Sequence, residues 1–109
     1  MGGLEEDRRI EALRLLKLAG DRLDEAYAEM VKTNARHETE ARPVRAASLA
    51  CAACVTILRV PNSEMHWTVA ASLRVSAKRI ESISEPRVRA ACQDMMDVEL
   101  ICQDGMRAQ

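Results

Sequence analysis

The stretch that decides the fold is LEEDRRIEALRLLKLAGDRLDEAYAEMVK, residues 4–32. Ile10, Leu13, Leu16, Gly20, Leu23, Tyr27 and Met30 step through it by three and four, the spacing of one face of an α-helix. Glu5, Glu6 and Asp7 occupy the first turn, where the helix dipole favours negative charge, and Lys32 stands near the end, where it favours positive charge. Leu15 and Leu18 fall beside the seam and widen the apolar face enough to touch two neighbours. About 29 residues at 1.5 Å each give a helix of roughly 43 Å.

Outward from that helix, TNARHETEARP breaks the period and predicts a loop over 34–40, with Pro43 biasing the residue before it away from helical backbone. A second helix over 41–59 carries Val44, Ala47, Cys51, Val55 and Leu58 on one face, with Ser48 and Cys54 beside them. VPNSE ends it, with Pro61 as the stop and Asn62 or Ser63 as the next cap. A third helix over 63–83 carries Met65, Val69, Leu73, Ser76, Ile80 and Ile83. SISEPRV then offers Ser84 as an N-cap and Pro86 in the first turn. A fourth helix over 85–104 carries Val88, Ala91, Cys92, Met95, Met96, Val98 and Cys102, and Gly105 is the expected end. With no strand pattern and short connections, the reading is an all-α, up-down-up-down four-helix bundle with a long first helix, one domain over 1–109.

Composition agrees. The chain has 109 residues, 48% hydrophobic and 30% charged, with no Phe, one Trp and one Tyr. Its core must therefore come from aliphatic, Ala, Met and Cys side chains, which suit helices better than sheets. Sixteen basic and seventeen acidic residues nearly cancel, and no segment concentrates the positive charge that nucleic acid requires. The polar, acidic start does not fit the basic-then-apolar order of a secretory signal, and no apolar run is expected to reach the roughly 20 residues that span a bilayer. These features point to a cytoplasmic chain with neither nucleic acid nor membrane as partner.

Cys51 and Cys54, in SLACAAC, lie three residues apart on one helix and Cys92 lies on another. Cysteine thiolates are soft ligands, so Cys51, Cys54 and Cys92, with nearby methionines, form a candidate copper or zinc site. The second Cys-x-x-Cys of most structural zinc sites is missing, and cysteine packs readily as a small hydrophobe. Packing, with free thiols and no cofactor, is the simpler reading. A thioredoxin-like motif would open a helix after a strand, which this one does not. His37 and His66 are read as surface residues near loops. The carboxylates mostly fall on helix faces interleaved with arginines and are read as solvated i, i+4 partners. No nucleophile triad, phosphate loop or His-Glu-x-x-His motif is present, so no enzyme is indicated.

The residues then favour binding. Trp67 is expected to cap the end of the core, or to anchor a partner as aromatic residues do at interfaces. Of Met95 and Met96, adjacent on one helix, one must lie at a boundary. Leu15, Leu18, Val75 and Met96 are apolar positions left for self-association. In residues 16–27, LKLAGDRLDEAY, the set Leu16, Gly20, Asp21 and Leu23 resembles the death helix that pro-apoptotic proteins lay into the groove of pro-survival relatives. The resemblance covers 12 of 109 residues. It implies that Leu16 and Leu23 fill pockets, Gly20 permits close approach and Asp21 pairs with a groove arginine; Ala19 stands where a larger aliphatic residue is usual in that family. Gly20 also needs a reason of its own, since glycine within a helix costs about 1 kcal/mol relative to alanine. Close packing or a bend would supply it, and small Ala47, Ser48 and Cys51 on the second helix offer a packing counterpart. The expected function is a non-enzymatic protein-interaction or scaffold module with a protein partner or a second copy. The helix lengths and caps would also suit an engineered bundle, although the irregular loops and free cysteines are less idealised than most designs.

Overall fold

The computed structural model describes residues 4–33, 38–61 and 64–107. They form four helices, α1 (Glu6–Thr33), α2 (Glu38–Leu58), α3 (His66–Ile80) and α4 (Pro86–Arg107), packed side by side in a body 49 × 19 × 17 Å. The helix α1 packs on α2 and α4, and α3 on α4 and α2.

Side-chain bonds fix the directions. Arg8 meets Asp104 at 3.2 Å and Arg22 meets Asp94 at 2.7 Å, so α1 and α4 are antiparallel. Arg9 at the start of α1 donates to the Leu58 and Arg59 carbonyls at the end of α2, at 2.9 and 3.3 Å, while Ser48 donates to Asp24 further along. The pair α3 and α4 is joined by Arg74–Glu99 at 2.7 Å and by the Cys92 thiol donating to the Ala77 carbonyl at 3.6 Å. Each helix therefore reverses the one before it, as the short connections predict. Arg9 does double work: it supplies the donors that the last carbonyls of α2 lack, and it forks onto Glu6 at 2.6 Å.

The core seam of α1 is Ala12, Leu16, Ala19, Leu23, Ala26 and Met30, joined by Leu15. It shares Leu16, Leu23 and Met30 with the predicted seam, but the face is rotated toward the alanines. Ile10 is exposed and Leu13 and Tyr27 are only half-buried. Opposing faces come from Val44, Ala47, Cys51, Cys54 and Leu58 of α2, Val69, Leu73, Ala77 and Ile80 of α3, and Val88, Ala91, Met95, Val98 and Cys102 of α4. Fully burying each larger aliphatic side chain contributes about 1.5–3 kcal/mol.

Several boundaries differ from expectation. The second helix begins at Glu38, so Pro43 lies inside it and leaves the Thr39 carbonyl without its usual i+4 donor. The third helix starts at His66 with Met65 at its N-cap and no side-chain cap; Asn62 and Ser63 lie outside the described residues. Ile83 leaves the helix yet remains buried, its N–H turning back onto the Ile80 carbonyl at 3.1 Å. Glu85, not Ser84, caps α4: its carboxylate accepts from the Val88 N–H at 3.2 Å, and Pro86 takes the first helical position, where no N–H is needed. Gly105 does not end α4, which runs on to Arg107. The expectation about apolar runs is also corrected: by length and composition, Thr39–Leu58 in α2 could cross a membrane, with a mean hydropathy of 1.3. In this bundle its apolar side is the core.

Candidate functional site

A groove of about 310 Å³ runs along the seam between α1 and α2. It exists because the seam is built from small residues where a canyon between two helices would otherwise be filled. Gly20 on α1 and Ala52 on α2 contribute almost nothing to its walls, and Leu16 and Val55 form the apolar part of the lining. Behind Gly20 stands Cys51. A Cβ at Gly20 would lie 3.8 Å from the Cys51 Cβ, an ordinary contact. The counterpart expected for Gly20 is there, but the approach is not so close that only glycine fits.

Charges stand along this groove in a definite order. Arg59 and Lys17 lie toward the start of α1, and Asp21 and Asp24 toward its end. Lys17 and Asp21 are exposed and separated by one turn, yet among the described residues neither has an ion-pair partner. A Lys placed N-terminal to an acid at i, i+4 is the weaker of the two orders, because it opposes the helix dipole. Asp24 is held instead. Its Oδ1 accepts from the buried Ser48 hydroxyl, and Arg45 comes within 3.8 Å of the same oxygen while lying 5.6 Å over the Tyr27 ring. Thr56 turns its hydroxyl back to the Ala52 carbonyl at 3.2 Å.

The cysteines face the other way. Cys51, Cys54 and Cys102 are buried in one core region, where negative charge on Cys54 would raise the cost of ionising both of the others. Burial pushes the Cys51 and Cys102 thiols up to about 12. Burial also raises Cys54, with the Ser72 hydroxyl opposing it. Cys92, raised by burial and then by Glu81, sits apart at the α3–α4 seam. The predicted grouping of Cys92 with Cys51 and Cys54 is thus not what the fold brings together. Among the described residues no three His, Cys, Asp or Glu side chains are placed to hold a metal ion.

Compared with known proteins, the chain matches no family model, no curated sequence and no solved structure.

The other predicted positions divide. Leu16 and Leu23 are core residues, so a death-helix presentation of both would require α1 to leave the bundle, although Asp21 is exposed. Leu15 is buried too, and Leu18 is half-buried, which removes Leu15 from the surface positions offered for self-association; Val75 and Met96 are exposed. Met95 is buried and Met96 is not, the split that two adjacent helical residues require. Trp67 and His66 exchange their expected places. The tryptophan is 57% exposed, whereas His66 is 2% exposed and its Nδ1 has no hydrogen-bond partner among the described residues. His37 lies outside the described residues.

Two polar features escaped the sequence reading. Asp94 is buried against Arg22, and burial, with Asp97 adding to it, raises its pKa against the lowering effect of the guanidinium. Ser48, expected only as a small packing residue, fixes Asp24 across the seam through its hydroxyl. The spacing of Ser48 among Ala47 and Cys51 places it on the inner face, and a buried hydroxyl requires a partner. A second hollow of about 370 Å³, at the end where α1 meets the α3–α4 turn, is lined by Glu29, Met30, Glu40, Ile83 and Glu85. Its acids are occupied: Glu85 caps α4, and Glu29 and Glu40 each have an interaction of their own.

Proposed function

We propose that this chain is a non-enzymatic protein-interaction module whose recognition face is the α1–α2 groove. The observation that carries this is the combination of a small-residue dip at Gly20 and Ala52, flanked by half-buried Val55 over the buried Leu16, with exposed Lys17 and Asp21, which have no ion-pair partner among the described residues. Apolar contact supplies affinity there, and charges on the rim supply orientation and partner choice. The thiols, the strongest nucleophiles in the chain, are turned into the core and held protonated, which favours binding over covalent chemistry.

The test is photo-crosslinking from a benzophenone-bearing residue at Ala52, with the same group at exposed Arg79 as the control. The reading expects protein adducts from position 52 and few from position 79. Equal labelling at the two positions, or none at position 52, would overturn it.

A further inference from the structure

The polarity of the groove identifies what fits it. Along α1, positive Arg59 and Lys17 precede the dip at Gly20 and Ala52, and negative Asp21 and Asp24 follow it. This order is set by the antiparallel pairing, because Arg9 holds the end of α2 beside the start of α1 while Ser48 holds its first half beside Asp24. A surface that is positive at one end and negative at the other is complementary to itself after a half-turn. We infer that the α1–α2 face docks on a second copy of this chain across a two-fold axis passing near Gly20 and Ala52.

In that arrangement Lys17 of each copy faces Asp21 of the other, while Asp24 stays with Ser48 and Arg45 of its own chain. Each contact occurs twice, as a two-fold interface requires. A parallel arrangement would set Lys17 on Lys17 and Asp21 on Asp21, and like charges so placed repel. Both members of the principal pair are exposed, and among the described residues neither has an ion-pair partner. The small residues at the axis permit close approach. Leu49, 56% exposed and three residues before Ala52 on the same helix, supplies apolar area beside the dip. A side of the bundle, 49 Å long and 17 to 19 Å across, is also large enough for the ~800 Å² per partner of a standard interface.

This inference rests on the groove being a recognition face, and its test separates the two. The full-length chain would be studied by native mass spectrometry and light scattering under reducing conditions, alone and as the charge-reversed variants Lys17→Glu and Asp21→Lys. Both positions are exposed, so circular dichroism should be unchanged. The wild type is expected to dimerise, each variant alone to lose at least about tenfold in dimer affinity, and an equimolar mixture of the two variants to recover a one-to-one heterodimer. A monomeric wild type, or a dimer indifferent to both reversals, would overturn the inference. If position 52 then crosslinks to a different protein, the interaction reading stands and self-pairing fails; if it crosslinks to nothing, both fail.

Discussion

Gly20 of α1 faces Cys51 of α2 with room for one more carbon: a Cβ added at Gly20 would sit 3.8 Å from the Cys51 Cβ. Glycine in a helix interior gives up about 1 kcal/mol relative to alanine through backbone entropy. Since nothing in the seam obstructs the methyl group, Gly20→Ala should stabilise the bundle by about 1 kcal/mol. Urea denaturation followed by circular dichroism measures this, and a loss of stability would mean that α1 and α2 approach more closely here than the structure places them.

Trp67 is the only tryptophan, so intrinsic fluorescence reports on one site. Its exposure predicts red-shifted emission that iodide quenches efficiently in the native protein, with little further shift on unfolding. Because its side chain covers little of the core, Trp67→Ala should change stability by no more than about 0.5 kcal/mol. Blue-shifted, protected emission would instead restore the core-capping role expected from the sequence.

How far the sequence carried depends on which scale is asked about. The three-and-four spacing through Leu16, Leu23 and Met30 required a helix with one buried face, and short connections between such helices required antiparallel neighbours. Two apolar stripes shared those three residues, however, one through Leu13, Gly20 and Tyr27 and the other through Ala12, Ala19 and Ala26. Alanine is tolerated on either side of a helix, so only the positions of α2 and α4 decide between them. The reversal of His66 and Trp67 has a similar origin: neighbouring residues on a helix point about 100° apart, and a small difference in where α3 begins determines which one enters the core. The groove was less legible still. Its parts were visible singly, with Gly20 and Asp21 on one helix and Ser48 on another, but their meeting depends on the register between α1 and α2.

All four cysteines are free and buried. A thiol must be deprotonated and reachable to react, and here both conditions fail. An aromatic disulfide reagent at pH 8 should therefore label the native protein slowly, with all four thiols reacting at once after guanidinium denaturation. Raising the pH to 9 should not rescue the slow reaction of Cys51 and Cys102, whose thiols are pushed up to about 12. Rapid labelling of native Cys51 would show that the α1–α2 seam opens readily.

Asp94 gives a pH dependence with a definite sign. Burial first, and then Asp97, raise its folded-state pKa against the lowering effect of Arg22 at 2.7 Å. A carboxyl whose folded pKa lies above its unfolded value binds a proton more readily in the folded state, so folding gains from this group as pH falls through the folded pKa toward the unfolded value near 3.9. Asp94→Asn cannot take up that proton, while the other carboxylates are common to both proteins and largely cancel in the comparison. The stability of the wild type relative to Asp94→Asn should therefore rise as the pH is lowered from 7 toward 4. Paired urea titrations at the two pH values measure it. A wild-type advantage that instead shrinks on acidification would show that attraction to Arg22, rather than burial, governs Asp94.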